Sequence, residues 1–451
     1  MVEYIYIPVI LLLYLKTWKY NYLIDDFVPR GGYLYVLGER PEDPKFYDTR
    51  RPIMATVTNI GVFLATCLAI HHIWGWKAAL LYAVFPLNVG GVAWITGNYY
   101  MTTTLLVLVS YFFTLKGIVG TAVSIPFYVA ALGSTVSAIP FAFISIITGQ
   151  WYHLVFIIPL LFYLFGKRFR AGLKLRKHVH VNVRVNAGAI NWRVIFLMPK
   201  IVSYYIVMSL WPSRMGFWHD FTRHEGHDAS LGRPTRWFYL SLTLIGLFFL
   251  WGWQINKEGV LWFFLMISVF SQFTTFGMIW AERYSYIATV GFAVLAASFL
   301  TNDVAFAIVT TLWFCKSWQY IKTFRNNKTL LIESIDAQPY AIENYLNLGA
   351  HYLERKRYVK AIEPLLVAAK LVDSENSGVH DDLAECYFRA GYFSKAKEHI
   401  EKALLRCSHT RREVLLRWLK IVDDRIELMQ TNRKALKEMG VLKEQPEELG
   451  W

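Results

Sequence analysis

The chain has 451 residues, 55% hydrophobic and 17% aromatic, with a formal net charge of +14 that is unevenly spread: residues 1–329 carry 28 Lys/Arg against 13 Asp/Glu, and 330–451 carry 19 against 20. The excess of basic residues concentrates in a loop between apolar segments, where it reads as a topology signal and argues against nucleic-acid binding. Four cysteines with no CxxC or other metal spacing imply neither a disulfide framework nor a zinc site.

A bilayer span takes about 20 apolar residues. Apolar segments fall near 4–23, 52–73, 77–95, 100–118, 120–149, 151–166, 194–211, 236–255, 259–276, 285–300 and 304–320, so the sequence predicts a polytopic protein of about eleven spans. The first segment is interrupted by Lys16 and Lys19, whose stems can snorkel to an interface, and no small-residue cleavage site follows it. Segment 120–149 contains Gly133 and Pro140 and is either one kinked span or two short ones. The loop 167–193 carries eight Lys/Arg and no acid, which makes it cytoplasmic. Counting outward with 120–149 as one span, the loop holding Asp25 and Asp26, the loop after Asp220, the loop around Glu282 and the tail from about residue 321 all emerge on the opposite face. Interiors nearly free of ionisable residues disfavour a transporter.

In the tail, apolar residues recur at helical spacing among charges. Leu348/Leu383, Gly349/Ala384, Tyr352/Tyr387, Ala361/Ala396 and Ala368/Ala403 repeat at an interval of 35, which matches the tetratricopeptide repeat with its period of about 34. The expected organisation is all-α: a membrane domain over 1–320 and a repeat domain over 321–451. Repeats are expected near 342–375 and 377–410, with a capping helix near 413–438.

Three constellations can carry chemistry. Acids persist near a bilayer mainly where function or a watery surface keeps them, and no Asp or Glu occurs between Asp48 and Asp220. That singles out Asp25 and Asp26, which can take a proton from a hydroxyl or hold a divalent cation against a phosphate. Glu282-Arg283 stands isolated in Trp280-Ala281-Glu282-Arg283-Tyr284-Ser285-Tyr286; Arg binds phosphate oxygens and the Glu can orient it. The loop from His219 and Asp220 to Asp228 is rich in His and carboxylates but lacks HxxxH spacing, so it reads as a solvated loop whose first two residues lie nearest the membrane. His71-His72 read as interfacial, and Gly90-Gly91 and Gly97 as close helix packing, since no P-loop or GxGxxG pattern surrounds them.

Asp25-Asp26, Arg50-Arg51-Pro52, Phe85-Pro86-Leu87-Asn88, Val92-Ala93-Trp94-Ile95-Thr96-Gly97, Ala281-Glu282-Arg283-Tyr284-Ser285-Tyr286 and the repeat tail together resemble the transmembrane and tetratricopeptide-repeat-containing O-mannosyltransferases and their bacterial relatives. The stretch Trp211-Pro212 through Gly216-Phe217-Trp218-His219 resembles a loop of that family. The resemblance implies a GT-C glycosyltransferase fold and a polyprenyl- or dolichyl-phosphate sugar donor, with transfer of a hexose such as mannose to a hydroxyl, on a protein, outside the cytoplasm. It implies an endoplasmic reticulum or bacterial inner membrane. It assigns catalysis to Asp25 or Asp26 and the donor phosphate to Glu282 and Arg283; His219 and Asp220, next to the membrane, together with Asn98 and Tyr286, are the expected donor or acceptor contacts. The repeat groove would present the acceptor or a partner protein. Departures are Gly90-Gly91 where relatives tend to have a Glu, Gly97-Asn98-Tyr99-Tyr100 in place of Gly-Arg-x-Asp, and Ser134-Thr135-Val136 in place of Ser-Lys-Glu. They leave a second expectation open, a catalytically inactive membrane-anchored repeat scaffold.

Overall fold

The structure is a computed structural model that describes residues 2–21, 23, 50, 53–166, 196–213, 215–216, 236–271, 281–371, 377–405, 407 and 409–438. The described residues are helical, with no strand among them. The chain forms two compact units, Met1–Ala341 and Ile342–Trp451. Helix Asn327–Ala337 belongs with the first, because it packs on the turn Ile321–Arg325 and buries Leu330 and Leu331.

In the first unit, α1 (Tyr6–Tyr14) precedes α2 (Ile53–Trp74), α3 (Trp76–Val84), α4 (Val89–Ala93), α5 (Asn98–Thr114), α6 (Gly117–Ser134), α7 (Ser145–Thr148) and α8 (Ile157–Phe165). Then come α9 (Met198–Leu210), α10 (Arg236–Ile255), α11 (Lys257–Ile267), α12 (Tyr286–Phe299), α13 (Asp303–Tyr320) and α14 (Asn327–Ala337). Asparagines start three of them. Asn256 accepts from the Gly259 N–H, Asn302 from Val304 and Ala305, and Asn326 from Thr329, which satisfies donors that a helix start leaves unpaired.

Among the described residues three helices, α2, α6 and α10, are long and apolar enough to cross a membrane, and a fourth crossing is made if a bent pair counts as one. Several of the eleven apolar segments resolve into shorter pieces for identifiable reasons. Segment 77–95 breaks at Phe85, whose backbone is extended because Pro86 follows it; α3 and the stretch Pro86–Ala93 meet at 62°. Segment 120–149 ends its long helix at Ser134 and continues as a 3₁₀ helix Val136–Phe143. The carbonyls freed at the 85–86 break find side-chain donors: Asn88 Nδ2 donates to the Tyr82 carbonyl at 2.9 Å and Ser317 Oγ to Val84 at 2.7 Å. Thr289 Oγ1 holds Asn88 in turn, at 2.9 Å. Interrupted backbone needs such partners wherever water is excluded.

The second unit contains α15 (Ile342–Glu354), α16 (Tyr358–Leu371), α17 (Ser377–Arg389), α18 (Phe393–Leu404) and α19 (His409–Glu438), each packed on its neighbour in sequence. The two hairpins repeat in backbone detail. Lys356 and Gly391, 35 residues apart, both adopt positive φ, +56° and +86°. Arg357 N–H bonds the Tyr352 carbonyl as Tyr392 bonds Tyr387, and Ala361 bonds Arg357 as Ala396 bonds Tyr392. The shared core contains Ala361, Leu365, Ala368, Leu383, Ala384, Ala396, Ile400 and Ala403; its small residues fall where helices approach closely.

Candidate functional site

The site is built from Ala281–Tyr286 outward. Ala281 is extended, Glu282–Tyr284 make one 3₁₀ turn, and α12 begins at Tyr286. The turn is fixed by Ser285 Oγ donating to the Glu282 carbonyl at 2.6 Å and by Tyr205 Oη donating to the Ala281 carbonyl at 3.3 Å. Tyr284 stacks on Phe270 with centroids 4.4 Å apart.

Glu282 is 5% exposed. Its Oε1 accepts the Gly216 N–H at 2.8 Å and its Oε2 the Tyr320 hydroxyl at 2.5 Å. Burying a carboxylate is costly unless hydrogen bonds compensate it, and charge-assisted bonds are roughly twice as strong as neutral ones. One side chain thereby joins the stretch after α9, the end of α13 and the start of α12. The half-buried Arg283 lies over two rings, 5.5 Å from the Trp94 centroid and 5.5 Å from that of Tyr284. Stacking of this kind orients the planar guanidinium and its donor fork.

The opposite wall is Val89–Gly97. Asn59, a buried amide of α2, donates to the carbonyls of Val92 and Trp94, each at 3.1 Å, and accepts from Asn98 Nδ2 at 2.7 Å. Asn98 accepts in turn from Thr102 Oγ1 at 2.7 Å. Asn98 therefore acts through Trp94, helping to hold the ring on which Arg283 rests. A Cβ on Gly97 would stand 2.8 Å from Gly90 O and Gly91 Cα, and one on Gly91 only 2.6 Å from Tyr286 Cζ. The Tyr286 ring thus occupies the space above the two glycines, its hydroxyl buried without a hydrogen-bond partner among the described residues.

Of the residues singled out from sequence, Glu282, Arg283, Tyr286 and Asn98 gather around Trp94 and the Gly90-Gly91 turn. Asp25, Asp26, His219 and Asp220 lie outside the described residues, as do Arg51, Pro52 and the basic loop 167–193. Asn59, Trp94 and Tyr320 were not anticipated as site residues. Asn59 carries a signal, an amide within an apolar run; Tyr320 carries none. Among the described residues no cluster of three or more His, Cys, Asp or Glu is arranged to hold a metal ion. Chemically, the arrangement offers an oriented guanidinium, able to meet a phosphate or carboxylate, on a frame tied by one buried acid.

The chain matches no protein-family model, and no curated protein or solved structure is found similar to it.

Proposed function

We propose that this protein is a polytopic membrane glycosyltransferase of the GT-C kind, moving a hexose from a polyprenyl- or dolichyl-phosphate donor to a hydroxyl on an acceptor protein. The reading places transfer on the non-cytoplasmic face, with about eleven spans and the tail on that side. The observation that carries it is the meeting of three distant segments, Val92–Gly97, Met215-Gly216 and Ala281–Tyr286, through Glu282 and the Arg283–Trp94 stack; these are segments that resemble the transferase family. Arg283 would stabilise the departing lipid phosphate, Glu282 would fix the turn that aims it, and Asp25 or Asp26 would take the proton of the attacking hydroxyl. A divalent cation held by those two acids would serve the same phosphate. The tail, with hairpins repeating at 35 residues, would be a short tetratricopeptide array presenting the acceptor.

The test is sugar transfer by the purified chain with a panel of radiolabelled polyprenyl-phosphate sugars. Turnover that is lost in Asp25→Asn/Asp26→Asn and falls at least tenfold in Arg283→Gln, with folding intact, supports the proposal. Transfer undiminished in the double variant refutes it.

One observation favours the inactive-scaffold reading. Tyr286 fills the space over Gly90-Gly91, leaving no room for the acidic side chain that the family it resembles tends to have there. On that reading no donor is turned over, and the tail alone accounts for partner binding.

A further inference from the structure

Two helix ends bearing cations meet, with no ion pair to an acid among the described residues. Both α1 and α13 pack on α3, and the 3₁₀ turns that extend them, Leu15–Lys19 and Ile321–Arg325, lead to a direct bond: the Asn21 N–H donates to the Arg325 carbonyl at 3.0 Å. Lys16 Nζ lies 3.3 Å from the centroid of the Trp318 ring. Lys322 is near enough for its charge to act on Lys16. Lys322, Arg325 and Lys19 are exposed, and so is Arg50, whose backbone bridges to Asn21. Among the described residues none of these five cations makes an ion pair. Stretches 4–23 and 304–332 contain no Asp or Glu at all. Cations gathered in this way repel unless an anion lies among them.

The helices leading to this corner carry exposed apolar faces. On α1 and its extension Leu11, Leu12 and Leu15 are 40%, 59% and 48% exposed; on α13 Ile308 and Leu312 are 55% and 59% exposed. Apolar flanks ending in Lys and Arg beside a Trp have the chemistry of a lipid: chains along the flank, phosphate at its end.

We propose that the corner formed by Lys16, Lys322 and Arg325 beside Trp318 binds the phosphate of a membrane lipid, whose chains lie along the exposed faces of α1 and α13. The inference rests on the membrane part of the proposed function and is independent of sugar transfer.

Native mass spectrometry of the full chain in detergent tests it, with phosphatidylglycerol, phosphatidylcholine and a polyprenyl monophosphate as probes and inorganic phosphate as competitor. The expected result is retention of an anionic lipid at least fivefold above phosphatidylcholine, falling roughly fivefold for each cation removed in Lys322→Gln and Arg325→Gln. Both are exposed positions at which Gln leaves the helices intact. Lys77→Gln, whose lysine already pairs with Asp303 at 2.8 Å, should change nothing. Stronger retention of polyprenyl phosphate assigns the corner to a donor-type lipid, and stronger retention of phosphatidylglycerol to bulk lipid; either supports the proposal. Equal retention of phosphatidylcholine, no effect of the variants, or displacement by inorganic phosphate at the lipid's own concentration overturns it. Phosphatidylcholine still held by every variant would leave the membrane reading standing.

Discussion

Replacing His399 with Phe should remove most of one acid-sensitive contribution to the second unit. His380 and His399 face each other across α17 and α18 with Nδ1 atoms 3.0 Å apart, so one ring donates and the other must stay unprotonated. Tyr387 stacks on His399 at 5.4 Å. Burial, then His380 and Lys402, with a smaller push from Lys395 and against the pull of Glu398, hold His399 down at about 4. Against about 6.5 in an unfolded chain, the fold binds fewer protons than the unfolded state. The contribution is therefore whole above pH 6.5 and lost as pH falls toward 4, by about 2 kcal/mol at pH 5. Asp382 works in the opposite sense. Burial, then Asp381 and Glu385, raise it to about 6 against the pull of Arg411. Its contribution is present below the unfolded carboxylate value of about 3.9 and lost as pH rises through 6. Acidification to pH 5 therefore returns about 1 kcal/mol after discounting for partial exposure. The wild-type unit should show only a small net loss, and the variants separate the two effects. In urea unfolding of residues 342–451 followed by circular dichroism, His399→Phe should turn the wild-type loss of about 1 kcal/mol between pH 8 and pH 5 into a gain of about 1 kcal/mol, and Asp382→Asn should deepen the loss to about 2 kcal/mol. A His399→Phe effect of the same size at both pH values would refute the reasoning.

Lys356→Gly should stabilise the same unit by up to about 1 kcal/mol, because an L side chain pays for positive φ that glycine adopts freely; Gly391→Ala should cost a similar amount, both read from urea midpoints. Gly91→Ala drives a methyl to 2.6 Å from Tyr286 Cζ and should lower stability in detergent by about 1–3 kcal/mol, relieved when Tyr286→Leu is added; a neutral Gly91→Ala would show the ring is not held there. Tyr320→Phe and Glu282→Gln should each cost about 1.5–3 kcal/mol in thermal unfolding. Their double variant should fall short of the sum, and simple additivity would deny the bond between them.

The tail was legible because its contacts are local: Tyr352 and Tyr387, or Ala361 and Ala396, take equivalent positions in hairpins set by short-range spacing. The left-handed turn at Lys356 was not, since lysine gives no sign of positive φ where Gly391 does. Hydropathy located the segment 77–95 but counts apolar residues without regard to direction, so it missed the bend that Pro86 imposes through Phe85. At the site, an isolated acid drew attention to Glu282, yet its partners are a backbone N–H 66 residues away and a tyrosine 38 residues away. A main-chain donor leaves no mark in sequence, and one tyrosine among 27 leaves little. The Asn59–Asn98 bond depends on α2 and α5 lying side by side, which packing decides.

Because both oxygens of Glu282 hold separate segments, its carboxylate is a mechanical linkage as well as a charge. Arg283 follows directly on a residue that grips Gly216 with one oxygen and Tyr320 with the other. Met215-Gly216 and the last turn of α13 are thereby tied to the same short turn that carries the guanidinium.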